Sequence, residues 1–234
     1  MQSINKIKIL PGMMFGEKDF SFKQALKDPT ARSLILSNFI LLIFAVVEHW
    51  PIINLMWAYF LQSLTIGLFV FIKILVFGNR TQMSKVSMEK GGNGGIKKYY
   101  NIPSWTIQLG IALFFAFHYG FFHFVYGVFL TSFSKGYINK EGILIGAGIF
   151  FFNHLYSFLV NYQNDKARMP NAGYLMASAY TRIIPMHIII MVGGIFWAFS
   201  FTFLNIPFLI LFISLKTFFD VRMHSIIHRQ EATI

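Results

Sequence analysis

The chain has 234 residues, of which 56% are hydrophobic and 12% charged, and its mean hydropathy is +0.58. These values exclude an ordinary water-soluble domain, because apolar residues fill whole runs such as Ile183 to Leu204, which holds no Asp, Glu, Lys or Arg. The formal charge of +11 is scattered between those runs, which excludes a nucleic-acid-binding stripe, and the absence of cysteine excludes disulfides, thiolate metal sites and cysteine nucleophiles.

The first 28 residues form a basic cytoplasmic segment with Lys6, Lys8, Lys18, Lys23 and Lys27. They lack the continuous apolar core and small-residue cleavage site of a removable signal peptide, so the first true span is expected to direct insertion. Asp28-Pro29 reads as an N-cap and first helical residue, opening span 1 over about 29–47. Glu48-His49-Trp50-Pro51 ends it as a polar and aromatic interfacial break, and span 2 follows over about 52–77. A basic, glycine-rich loop then runs from Gly78 to Tyr100; its Gly91 to Gly95 lacks the Gly-Lys-Ser/Thr of a phosphate-binding loop.

Spans 3 to 6 follow over about 104–133, 142–160, 181–204 and 206–227, with a short tail at 229–234. With the N-terminus inside, the external loops hold only Lys135 and Lys140 of the twenty Lys and Arg residues, so both ends are placed in the cytoplasm. The expected fold is therefore all-α, a polytopic integral membrane bundle of about six transmembrane helices at residues 29–228. Membrane lipids are its expected partners, with a homo-oligomer or a membrane complex as further possibilities, and a prokaryotic inner (plasma) membrane is its expected location. Pro185 is expected to weaken span 5 locally beside His187.

Ionisable groups inside a bilayer are costly and usually functional. This chain places His118 and His123 in span 3, His154 in span 4, His187 in span 5, and Lys216, Asp220, His224 and His228 along one drifting face at span 6. Counting 1.5 Å per residue from the cytoplasmic end of each span puts His154, His187 and Asp220 in one layer at about 10 Å. His123 should point about 140° away from His118, towards the outer half.

Imidazoles and a carboxylate at one point suit Zn²⁺, with His118, His187 and His224 as ligands and Asp220 as a ligand or catalytic base. Such a metal would activate water for hydrolysis of an amide or ester presented from the lipid phase. Four other readings use the same groups. They are a proton relay or ion path in a transporter or channel, a retinal Schiff base on Lys216 with Asp220 beside it, haem between His118/His187 or His154/His187, and a non-catalytic scaffold held by polar contacts.

The segments His118-Tyr119-Gly120, Arg182 to His187 and Lys216 to His224 resemble an uncharacterised prokaryotic family of multi-pass membrane proteins, known only as a domain of unknown function. The likeness covers about residues 34 to 228 and points to His118, His187, Asp220 and His224. In that pattern a further histidine stands near position 126, where this chain carries Tyr126. The spacing Asp220-x-x-x-His224-x-x-x-His228 is also similar to the last-helix histidine pair of alkaline ceramidases and progestin/adipoQ-type receptors, which implies an intramembrane zinc amidohydrolase.

Overall fold

The computed structural model describes residues 22–77, 104–134, 138–168, 172–198 and 205–230. All regular structure among them is helical. A single turn at Phe22–Ala25 precedes six long helices: α1 (Pro29–Val47), α2 (Ile52–Phe77), α3 (Ser104–Phe133), α4 (Lys140–Arg168), α5 (Ala172–Ala198) and α6 (Asn205–Gln230). The expected basic loop from Gly78 to Tyr100 and the external Lys135 lie outside the described residues.

Local chemistry sets the ends of α1. The Asp28 carboxylate accepts from the Thr30 backbone N–H and from its hydroxyl, both at 2.8 Å, and Pro29 takes the first turn, where no N–H is needed. At the other end Trp50 N–H donates to Ala45 O at 2.9 Å and His49 N–H to Val46 O at 3.2 Å. Together these bonds close a Schellman motif. His49 occupies the left-handed position with φ 50°, where glycine is usual. The ring of Trp50 then packs edge-on against Phe44 with centroids 6.4 Å apart, buried against its own bundle.

Among the described residues, α1 to α4 are long and apolar enough to cross a membrane. Half of the most apolar window of α2 is buried inside the bundle, against 22–39% for the other three. The reason is position: α2 packs on α3, α4 and α5 and touches α6, while α1 packs on α4 and α6, and α5 on α3 and α6. Large apolar side chains such as Phe117, Phe124, Phe152 and Leu211 point outward, where lipid suits them and water would not.

Lipid tails are as apolar as leucine, so helices in a bilayer are held by close packing and hydrogen bonds. Lys73 of α2 pairs with Asp165 of α4 at 2.6 Å near the ends of both helices. Gln108 of α3 donates to the carbonyls of Ile74 and Leu75 at 2.5 and 3.0 Å, satisfying groups that the end of α2 leaves without helical partners. At the opposite end Trp57 donates its indole N–H to the Ser134 hydroxyl at 2.8 Å. Three helices outrun their expected spans: α4 starts at Lys140 and ends at Arg168, α5 starts at Ala172, and α6 reaches Gln230. The helix α5 runs unbroken through Pro185.

Candidate functional site

The best-connected polar cluster lies where α2 meets α3. Gly67 makes the approach possible, since a Cβ there would collide with the ring of Tyr119. The Tyr119 hydroxyl donates to the Ser63 carbonyl at 2.8 Å and lies 3.0 Å from the Ser63 hydroxyl. His123, one turn further along α3, stacks on Tyr119 with centroids 4.3 Å apart and places Nε2 2.9 Å from Ser63 Oγ. Its other nitrogen, Nδ1, is 2.8 Å from the Tyr119 carbonyl, which can only accept. In the neutral ring the proton therefore sits on Nδ1, and Nε2 is left to accept from the Ser63 hydroxyl. Ser63, Tyr119 and His123 are all buried, His123 to 2% exposure.

This cluster adjoins a groove of about 440 Å³ between α2 and α3 on the lipid-facing side, lined by Phe60, Leu64, Phe124, Val128, Thr131, Gly120, Gly127 and His123 itself. Gly120 has no neighbour within 4 Å of where a Cβ would stand, and Gly127 faces only the rim of Phe60 at 3.6 Å. A hydroxyl bonded to an imidazole that is itself oriented by a fixed acceptor, next to an apolar cleft, is the geometry by which serine is activated for acyl transfer.

A second polar cluster lies on α6. Lys216 Nζ meets Asp220 Oδ2 at 2.5 Å, and the two side chains are only 3% and 5% exposed. The ammonium also stands 5.4 Å from the centroid of the Tyr59 ring, whose hydroxyl donates to Asn38 Oδ1 at 3.3 Å. Asp220 Oδ1 has no hydrogen-bond partner among the described residues. The lysine of the expected Schiff base is thus engaged as the counter-ion of Asp220.

The expected histidine convergence takes a different form. His118 is exposed on α3 and shares a hydrogen bond of 2.6 Å with Tyr180 of α5. His187 of α5 hydrogen-bonds the Tyr126 hydroxyl of α3. Both imidazoles pack on Phe122, with centroids at 5.1 and 6.5 Å. His154 lies on α4 against Phe69, at 6.5 Å. His224 and His228 fall within α6, and their side chains lie outside the described residues. Among the described residues no three His, Asp or Glu side chains approach closely enough to hold a metal.

All three helices extend beyond their expected ends, so His154 lies about 21 Å from Arg168 along α4 and Asp220 about 15 Å from Gln230 along α6. His187 then lies about 22 Å along its helix, level with the Tyr126 half of α3. Sequence reasoning missed Ser63 and Tyr180, and noted Tyr119 and Tyr126 only through the family resemblance. The available signal was hydroxyl residues within apolar spans, above all the adjacent polar pair Gln62-Ser63 in span 2.

Fold and interior together define a polytopic α-helical membrane protein with a hydrogen-bonded core of histidine, tyrosine and serine and a buried Lys–Asp pair. The chain belongs to a family of unknown function (DUF6498), which matches residues 21–233 and so extends the likeness seen over 34 to 228. No curated protein and no solved structure matches it significantly, so the likeness to alkaline ceramidases and progestin/adipoQ-type receptors rests on the α6 spacing alone.

Proposed function

We propose that the protein is an intramembrane hydrolase that cleaves an ester or amide bond of a lipid-like or peptide substrate, with Ser63 as nucleophile and His123 as general base. The observation that carries this reading is the 2.9 Å bond from Ser63 Oγ to His123 Nε2 beside a groove that opens towards lipid. The substrate arrives laterally along the groove, past Gly120 and Gly127. Ser63 Oγ attacks the carbonyl carbon as its proton passes to His123 Nε2, and the leaving alcohol or amine takes that proton as the C–O or C–N bond breaks. Water then attacks the acyl-serine, giving its proton to His123, which returns it to Ser63 Oγ as the acid leaves. Tyr119 is a positioning residue: its carbonyl fixes the imidazole tautomer, and its hydroxyl anchors the Ser63 backbone. The distribution of basic residues supports both chain ends in the cytoplasm, and the family resemblance suggests a prokaryotic inner membrane as the setting.

This chemistry replaces the zinc-bound water by a serine oxygen. The zinc site would need the His224 imidazole to join His118 and His187, whose rings hydrogen-bond Tyr180 and Tyr126 on α5 and α3. The test is labelling of membranes containing the protein with a fluorophosphonate, read by intact mass and peptide mapping. The expected result is one adduct, on Ser63, lost in Ser63→Ala and His123→Ala and kept in Thr131→Ala. An adduct that survives Ser63→Ala, or none on Ser63 of the folded protein, refutes the assignment.

The α6 pair favours a second reading, proton-coupled transport with Asp220 as the proton carrier and Lys216 as its internal counter-ion. Proteoliposomes with a pH-sensitive dye inside separate the two: a substrate-dependent pH change abolished by Asp220→Asn supports transport, and no pH change removes it.

A further inference from the structure

Asn54 and Gln62 of α2 are 0% and 1% exposed, and neither amide nitrogen nor amide oxygen of either side chain has a hydrogen-bond partner among the described residues. The indole N–H of Trp50, 1% exposed, is in the same condition. A buried amide or indole without a partner costs more than almost any other single feature of a helix interface, and interiors meet that cost with bound water.

The three groups share one seam. Asn54, Ala58 and Gln62 follow at i, i+4 and i+8 along one face of α2. A Cβ placed on Gly146 of α4 would stand 2.9 Å from Leu41 of α1, 3.7 Å from Ala58 and 3.9 Å from the Trp50 ring, which locates the seam where α1, α2 and α4 meet. Leu41 and the Trp50 ring close the seam around Ala58 and Gly146, and Gln62 is followed in α2 by Ser63.

We infer that Trp50, Asn54 and Gln62 bind an internal file of water that leads from the outer end of α2 to the middle of the bundle. Asn54 and Gln62 are about 12 Å apart along the helix, a gap that about three waters bridge at ordinary hydrogen-bond spacing. Each amide supplies a donor and an acceptor, and Trp50 supplies a donor, so each water finds the two or more polar partners that an internal water needs. The inference stands on the unpartnered amides alone. Only its use rests on the hydrolase reading: the file would bring to the bilayer midplane the water that deacylates Ser63.

The experiment is radiolytic hydroxyl-radical footprinting of the wild-type protein in nanodiscs, since radicals formed on bound water oxidise the side chains touching it. Trp50 is expected to be oxidised despite its burial, as exposed Trp105 is, while sealed Phe150 stays unmodified. Because the natural chain has no cysteine, Asn54→Cys and Gln62→Cys can each be probed with aminoethyl methanethiosulfonate in variants that elute as monodisperse protein. Both thiols are expected to react, as Glu48→Cys does at the exposed outer end, while lipid-facing Leu68→Cys does not. A silent Trp50 beside an oxidised Trp105, or unreactive thiols at 54 and 62 in folded variants, overturns the inference. Neither readout involves the Ser63 adduct, so the file and the hydrolase can fail separately.

Discussion

The Lys216–Asp220 pair is the sharpest test of how the interior is held together. At 2.5 Å and an effective dielectric constant near 20, the attraction between the two charges is about 7 kcal/mol before desolvation is subtracted. Desolvation of two groups only 3% and 5% exposed takes back most of it, so the intact pair adds little net stability. Removing one partner is different, because it strands the other charge: Asp220→Leu and Lys216→Met should each cost about 3 kcal/mol. The double variant Lys216→Met/Asp220→Leu strands nothing and should recover most of that loss. Unfolding in mixed micelles of rising dodecyl sulfate fraction, followed by circular dichroism, gives the four corners of the cycle. Single variants each costing under about 1 kcal/mol, with costs that simply add, would refute a buried charge pair at this position.

Three further changes probe individual joints. Gly67→Ala sets a methyl against the Tyr119 ring and should destabilise the bundle by about 1–3 kcal/mol. By displacing Tyr119 it should also slow fluorophosphonate labelling of Ser63 by about a hundredfold, which timed labelling measures. Gln108→Leu removes the donor shared by the Ile74 and Leu75 carbonyls and should cost about 1–3 kcal/mol, with faster amide exchange at the end of α2. Asp28→Ala deletes the α1 cap and should cost about 1 kcal/mol while leaving labelling unchanged, whereas Asp28→Asn should retain most of the stability.

Much of the fold is legible in the sequence because the bilayer imposes it. A span must be long and uniformly apolar, and Asp28-Pro29 and Glu48 to Pro51 mark the ends of α1 where the structure has them. The rotation of each helix is not legible in the same way. In water an apolar stripe faces the core, but in lipid an apolar face is equally content outward, so α3 displays phenylalanines on nearly every side. The sequence correctly separates His118 from His123 by about 140° but cannot tell which of them faces inward. The structure turns His123 onto α2 and leaves His118 at the exposed edge, with Tyr180. Absolute depths shift for a related reason: nothing in Ala172 to Thr181 announces that α5 extends a further nine residues before the apolar run begins, just as α4 runs eight residues past Val160.

The polar groups of α2 divide into two kinds, and the division bears on function. Ser63 is fully bonded, through groups on α3 that also brace one another, and an arrangement of that kind can serve simply to join two helices in lipid. Asn54 and Gln62 make no such join: an amide without a partner among the described residues weakens an interface unless something mobile satisfies it. A bundle selected only for cohesion would place leucine or alanine there, as it does at Ala58 between them. The joining function alone also leaves unexplained why the His123 end of the Ser63 network lines a groove that opens to lipid. Groove, imidazole-bonded hydroxyl and unpartnered amides lie on successive sides of the central helix, the order in which the proposed hydrolase would need substrate, nucleophile and water.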